Sequence, residues 1–314
     1  MVEHIIKLTP NNLQGYFSRD ASPILTIQSG DTIVASVPDA DGREIISPNP
    51  LDGSAEIASY DRERNTGHCL IAPIAIKGAK AGMTLEVHIR ELVTGNWGWT
   101  SAGWNEEWNE KLNIQDPWQL SFWSLDNEQG IARHESGFSV EMSPFLGVIG
   151  TAPNEAGELT TSPPRTVGGN IDCKELVVGT HLFLPIEVDG ALLMFGDGHA
   201  RQGDGEVSGT AIECGMQKVV LDVHLHENLH LTMPRANTPK GWLTFGFDRD
   251  LDVAYFQALS DMLDLMQSDY GLSRLNAYSL ASAVVDLHIT QVVNAGVKGV
   301  HAILPHDALK AIDA

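Results

Sequence analysis

Through about residue 245 the chain is written in short runs of alternating, often β-branched residues, such as Thr32-Ile33-Val34-Ala35-Ser36-Val37 and Met83-Thr84-Leu85-Glu86-Val87-His88-Ile89. Clusters of Gly, Asn, Asp and Pro separate them. A pattern of period two serves a strand with one buried face, and frequent turn residues fold such strands back beside one another. The 30 glycines and 15 prolines fall mostly at those punctuation points. The predicted fold is therefore mainly β, with sandwich or barrel elements.

The texture changes after Phe247. Leu251, Ala254, Tyr255, Ala258, Met262, Leu265 and Met266 recur at helical spacing, behind Asp250 as a possible cap and before Gly271. Ser273 is placed to cap a second helix over about 274 to 285. Residues 288–293 and 300–304 read as strands, and a final short helix is expected after Pro305. No low-complexity linker and no short-period repeat interrupts the chain, so 1–314 is read as a single unit, mainly β to 245 and mixed α/β over 246–314.

Charge narrows the function. Acidic residues number 41 against 20 basic ones, a net charge of -21, which repels phosphate backbones and anionic lipid. Nucleic acid and membrane surfaces are excluded as expected partners. Cys69, Cys173 and Cys214 are too widely spaced for a CxxC pair or a small disulfide framework, and no apolar run reaches the roughly 18 residues of a membrane span. A cytoplasmic protein is expected.

The densest polar constellation is Gly196-Asp197-Gly198-His199-Ala200-Arg201-Gln202-Gly203-Asp204-Gly205-Glu206, directly after the apolar run 191–195. Its carboxylates and imidazole are the groups that bind divalent cations, and its glycines permit backbone conformations closed to other residues. A turn rich in Asp and Gly is the plainer alternative. Asp39 and Asp41 form a similar pair at a strand end, and His68 stands at the entrance of the apolar strand that follows Cys69. In Ser162-Pro163-Pro164-Arg165-Thr166-Val167-Gly168-Gly169-Asn170-Ile171-Asp172, a rigid loop offers Asn170 as a carbonyl donor and Asp172 as a metal ligand or histidine partner. Trp97, Trp99, Trp104 and Trp108 read first as packing residues and secondly as the roof of a small cavity. The histidine-rich run 222–231 reads as a half-buried strand with its polar face in solvent rather than as a metal site, and lacks the spacing of a cupin.

Five blocks in order carry a resemblance: GHCLIAPIAIKGAKAGMTLEVHI at 67–89, PFLGVIGTAP at 144–153, TTSPPRTVGGNID at 160–172, LFLPIEVDGALLMFGDGHARQGDGEVSGTAIE at 182–213, and FDRDLDVAYFQAL with LSRLNAYSLAS near the C-terminus. In these the chain resembles the acetamidase/formamidase family. The resemblance implies a mainly β, sandwich-and-barrel enzyme with a few C-terminal helices. It also implies a homo-oligomer, a dimer as first expectation, that releases ammonia from formamide, acetamide or similar short aliphatic amides. Asp197, His199, Gly203, Asp204, Gly205 and Glu206 fall on the family's GDGH...GDGE block, and Gly168, Gly169, Asn170 and Asp172 on its GGN-x-D block. His68 falls on an HPLTGP-like segment that here reads HCLIAP, which predicts a bulkier, less polar pocket wall at Cys69, Ile71 and Ala72.

Amide hydrolysis needs activated water, a polarised carbonyl and a proton for nitrogen, which a divalent cation and a carboxylate supply together. The expected assignment is a cation, zinc or calcium, held by Asp41, His68, Asp197 and His199. Glu206 is the expected acid/base and Asn170 the carbonyl-oxygen donor, with Asp39, Asp172 and Asp204 as further candidates. The rivals are a C–N hydrolase with a different small amide substrate and a non-catalytic β-sandwich binding module.

Overall fold

A computed structural model describes residues 1–47 and 65–310. Among the described residues the alternating runs become two large sheets. The first has nine strands, and its centre is Thr32–Val37, Met216–His226, Thr84–Thr94 and His181–Pro185, joined antiparallel. The second has seven and is built around Gly168–Asn170, Phe145–Gly150, Leu193–His199 and Leu70–Ile76, again antiparallel.

Period two explains how they meet. Ile33, Ala35 and Val37, Leu85, Val87 and Ile89, and Val219, Leu221 and Val223 put every second residue of the first sheet into one core. Ile71, Ile74, Leu146, Ile149, Leu193 and Phe195 of the second sheet fill the same core. The result is a sandwich, as the sequence predicts. The Leu193–His199 strand is buried along its whole length, which explains why its sequence is an apolar run followed by small and polar site residues rather than an alternation.

A four-stranded sheet from Trp97–Ala102, Gln119–Asp126, Ile131–His134 and Ser139–Glu141 stands beside the sandwich. It carries α1 (Glu106–Leu112), an element the sequence reading lacked. Asn105 accepts from Trp108 N at its start and Asn113 closes it in the left-handed conformation. None of its residues is buried, so no apolar stripe announced it.

The C-terminal expectations hold closely. α2 (Leu251–Tyr270) begins at an Asp250 cap and ends at Gly271, and α3 (Arg274–Val284) begins at a Ser273 cap. Strands Asp286–Asn294 and Val297–Pro305 extend the nine-stranded sheet behind Gly241–Asp248. Phe245 and Ile303 face the main core, whereas Val300, Ala302 and Leu304 face α2 and α3. Fully burying Met262 and Met266 against that second face contributes roughly 1.5–3 kcal/mol each. Gly246 permits the close approach, because a Cβ there would lie 1.9 Å from Ala254 O. After Pro305 the chain makes a turn rather than a helix through residue 310, since Ala308 N bonds back to Pro305 O; 311–314 lie outside the described residues.

Candidate active site

Three neighbouring strands of the seven-stranded sheet assemble the candidate site. Leu193–His199 carries Asp197 and His199, Gly168–Asn170 leads into Asp172, and Phe145–Gly150 runs between them. The middle strand leaves room by having no side chain at Gly147. A Cβ there would sit 2.5 Å from both Asp172 Oδ1 and Asp197 Oδ2, and 2.6 Å from His199 Cε1. Three carboxylate residues of the site adopt the left-handed backbone region, Asp172 at φ 49°, Asp197 at 58° and Glu206 at 48°. Each such conformation costs about 1–3 kcal/mol in a residue other than glycine, so the fold holds these carboxyls in place at the expense of stability.

His199 is the hub. Its Nε2 lies 3.4 Å from Asp197 Oδ1 and 3.2 Å from Glu213 Oε2, and its Nδ1 lies 3.9 Å from Asp172 Oδ1. Phe145 packs edge-on against the ring. Glu213 reaches it because its backbone bridges the sheets: Glu213 and Trp99 exchange N–H···O bonds of 2.8 and 2.9 Å, and Cys214 N donates to Gly198 O. Asp172, His199 and Glu206 form one group whose ligand atoms lie within 4.8 Å of one another, and Asp197, His199 and Glu213 form another. All five are buried.

Burying so many charges has visible electrostatic consequences. Desolvation pushes Asp172 up to about 6, with the charge of Asp197 adding to it, and pushes Glu213 up to about 8. Burial and then the Asp172 charge raise Glu206 well above the usual carboxylate range. Burial acts the same way on Asp197, but His199 and His68 outweigh it and hold that carboxyl low. For His199 burial disfavours charge, yet Glu213 and Asp197 raise it well above an ordinary histidine. Asp172 Oδ1, Asp197 Oδ1, both His199 nitrogens, Glu206 Oε2, Glu213 Oε2 and Asn170 Oδ1 are buried without a hydrogen-bond partner. Unmade bonds under burial cost about 1–3 kcal/mol each, and the ion pairs of His199 with Asp197 and Glu213 offset part of that cost.

A cavity of about 200 Å³ opens onto the cluster. Asp41, His68, Asn170, Asp172, Asp197 and Glu206, six of the residues singled out in the sequence, line it together, and His199 lies beneath them. Asp41 pairs with Arg43 at 3.1 Å, and His68 Nδ1 meets Thr161 Oγ1 at 2.7 Å. Two candidates stand outside the wall. Asp39 is fully buried behind it, accepting from Trp99 Nε1 at 2.8 Å and from Arg43 N at 2.7 Å, and burial raises its pKa. Asp204 turns away from Glu206 toward Lys174 and His288.

The pocket wall predicted at Cys69, Ile71 and Ala72 does not form. These side chains are buried in the sheet, and the wall is made instead by Thr66, Gly67, Trp99, Gly209 and Thr210. Of the four tryptophans, Trp99 alone lines the cavity, with the Arg43 guanidinium 4.9 Å from its ring centroid. Asn170 donates from Nδ2 to Ser162 O at 3.0 Å, which leaves Oδ1, an acceptor, unpartnered.

The sequence profile of the Acetamidase/Formamidase family matches residues 6–160 and 155–311. The chain belongs to this family. A Schizosaccharomyces pombe protein that carries a provisional formamidase name is 26% identical, over 90% of this chain and 86% of its own. The fold agrees with a solved acetamidase from Bacillus halodurans, at a TM-score of 0.82 and 28% identity over 96% of this chain and 97% of that one. An acetamidase from Yersinia enterocolitica superposes with a TM-score of 0.83 at 25% identity, over 98% and 93%. Amide hydrolysis with release of ammonia is the activity this acetamidase/formamidase family carries.

Within this family member, sequence reasoning missed Glu213, Asn294 and Gly147. Glu213 ends the GTAIE segment of a block already noted, but an isolated acid after apolar residues reads as a strand end. Asn294 donates from Nδ2 to Asp172 Oδ2 at 2.5 Å, from a hairpin 122 residues further along the chain, and no local pattern links the two. Gly147 was visible only as one glycine in PFLGVIGTAP.

Proposed function

We propose that this chain hydrolyses short aliphatic amides to carboxylate and ammonia, with a divalent cation seated among Asp197, His199 and Glu213. The observation that carries the reading is the convergence of buried, unpartnered carboxylate and imidazole atoms on one small cavity. Hard oxygens with one imidazole suit zinc or calcium, so the residues present fit the cation their family pattern implies. Asp197 and His199 remain from the expected ligand set. His68 and Asp41 stand in the wall above, and His68 is near enough to act electrostatically on both Asp172 and Asp197.

A cation held there supplies Lewis acidity toward water and the amide carbonyl. The rest is work for the chain's own side chains. Glu206, with its raised pKa, accepts a proton from the attacking water and returns it to the nitrogen as the C–N bond breaks. Asn170 Oδ1 faces no partner and suits the substrate's NH2, a different contact from the carbonyl donation expected of it. A volume of about 200 Å³ lies below the roughly 300–1,000 Å³ of sites for drug-sized ligands, which favours amides of a few heavy atoms.

The test is ammonia release from formamide, acetamide and propionamide before and after chelation, with single metals restored. Release that chelator removes and one metal restores supports the reading; release indifferent to chelator overturns the cation. Glu206→Gln should retain the metal and lose about 10²–10⁴-fold in kcat. Unchanged turnover in that variant would remove Glu206 from the mechanism.

A cytoplasmic homodimer fits the remaining features. All three cysteines are buried, and no helix among the described residues is long and apolar enough to cross a membrane. Phe256, Leu275 and Tyr278 expose apolar surface on α2 and α3, a surface suited to a second copy.

A further inference from the structure

Asp204 leaves the cavity wall two residues before Glu206 and enters a separate cluster at the C-terminal hairpin. Its Oδ2 lies 2.9 Å from His288 Nδ1, and the His288 ring stacks on His301 at 4.9 Å with the planes 4° apart. Ligand atoms of Asp204, His288 and His301 lie within 4.8 Å of one another. His301 is fully buried. Its Nδ1 faces Thr290 Oγ1 at 2.9 Å and Cys173 Sγ at 3.8 Å, while its Nε2 is buried with no partner. With the proton on Nδ1, where Thr290 Oγ1 is placed to accept it, Nε2 is the lone-pair nitrogen, the form that ligates a metal.

We propose that Asp204, His288 and His301 form a second divalent-cation site, distinct from the carboxylate cavity, whose occupant clamps the 203–206 loop to the hairpin of Asp286–Asn294 and Val297–Pro305. Two imidazoles and one carboxylate select a borderline ion such as zinc, with solvent at the remaining position, because Asp204 and His288 are each about one-third exposed. The backbone already joins the same partners: Gly205 N donates to Thr290 O at 3.0 Å, and Val292 N donates to Gly205 O at 3.2 Å. The site therefore acts on Glu206 through the loop, as a positioning device rather than a catalytic one.

Lys174 is the competitor. Its Nζ lies 2.7 Å from Asp204 Oδ2, where its ammonium balances the carboxylate in the absence of a metal. Half-buried and close to solvent, it is free to swing away when a cation arrives. This gives the proposal a signature that an ordinary ion-paired cluster lacks: removing the lysine charge must tighten metal binding.

The test uses the full chain, stripped with chelator and then titrated with zinc, reading bound zinc per chain after dialysis and the melting temperature with and without the ion. His288→Ala should bind one zinc fewer than wild type, and its melting temperature should lose the part of the zinc response that this site supplies. Lys174→Gln should bind that zinc about tenfold more tightly, because a competing positive charge is removed from Asp204. Equal zinc content in wild type and His288→Ala, or weaker binding in Lys174→Gln, overturns the proposal. Failure of the carboxylate cavity to hold a cation would lower both wild type and His288→Ala by one, leaving their difference intact. Circular dichroism identifies an unfolded variant, and Lys174→Gln, which alters a half-buried side chain at the edge of the cluster, then decides the matter.

Discussion

Imidazoles meet carboxylates in two regions of this molecule, with opposite results. On the outward face of the nine-stranded sheet, Glu86 accepts from His181 at 2.6 Å and from His226 at 2.5 Å, while His88 stacks on His181 at 4.1 Å. Both Glu86 oxygens are partnered, and the histidines are within reach of water. In the cavity of the seven-stranded sheet, His199 faces Asp172, Asp197 and Glu213 with longer contacts, under burial, and seven atoms counted with Glu206 and Asn170 lack a hydrogen bond. The same residue types form a finished network in one place and an unfinished one in the other. What separates the two clusters is unmet bonding under burial, not composition.

Breaking the comparison is simplest at Gly147. Gly147→Ala forces a methyl group against Asp172, Asp197 and His199, and should cost about 10²-fold or more in kcat/KM for the preferred amide, since small misplacements of reacting groups have effects of that size. His226→Ala, on the outer face, should leave kcat/KM within about twofold; equal losses in the two variants would erase the distinction.

The two regions should also respond to pH with opposite sign. Asp172 and Glu213 have folded pKa values of about 6 and about 8, above ordinary values of 3.8 and 4.5. The folded state then holds more protons than the unfolded state across that window, so chelator-treated protein should lose stability as pH rises from about 4 to 8. Added cation should flatten the slope. On the outer face burial alone would raise Glu86, but His226 and His181 outweigh it and lower its pKa from 4.5, so its contribution is present above that value and lost as pH falls through the folded pKa. Melting temperatures across pH with and without chelator measure both signs, and a metal-free slope that is flat between pH 5 and 8 would contradict the cavity assignment.

The smallest expected effect is that of Glu86→Gln. It should destabilise by about 1 kcal/mol and leave turnover unchanged, because it removes a charge-assisted acceptor far from the cavity chemistry. Denaturant melts read the first quantity and the ammonia assay the second.

Much of this was legible in advance because it is local. Period-two runs gave the Thr32–Val37 and Thr84–Thr94 strands, and Asp250, Gly271 and Ser273 marked helix ends that the structure reproduces. The blocks around His68, Asn170, Asp172, Asp197 and Glu206 named five residues that line the cavity together, since carboxylates, imidazoles and amides between glycines stand out in a strand-rich sequence. The run 222–231 was legible as a half-buried polar face only as far as His226, where the strand ends and a turn follows. The helix Glu106–Leu112 was not, having no buried stripe to pattern it.

The sequence by itself determined the sandwich, the C-terminal helices and the stock of carboxylates and imidazoles, because alternation, capping and residue chemistry act over a few positions. Only the tertiary structure decided how that stock is divided. Asp204 and Glu206 look equivalent two residues apart, yet the positive φ of Glu206 and the pull of the distant Lys174 and His288 send them to different clusters. Glu213 joins His199 through a bridge between sheets, and Asn294 reaches Asp172 across 122 residues. Such partnerships arise when strands remote in the chain pack side by side, and no periodicity along the chain encodes them.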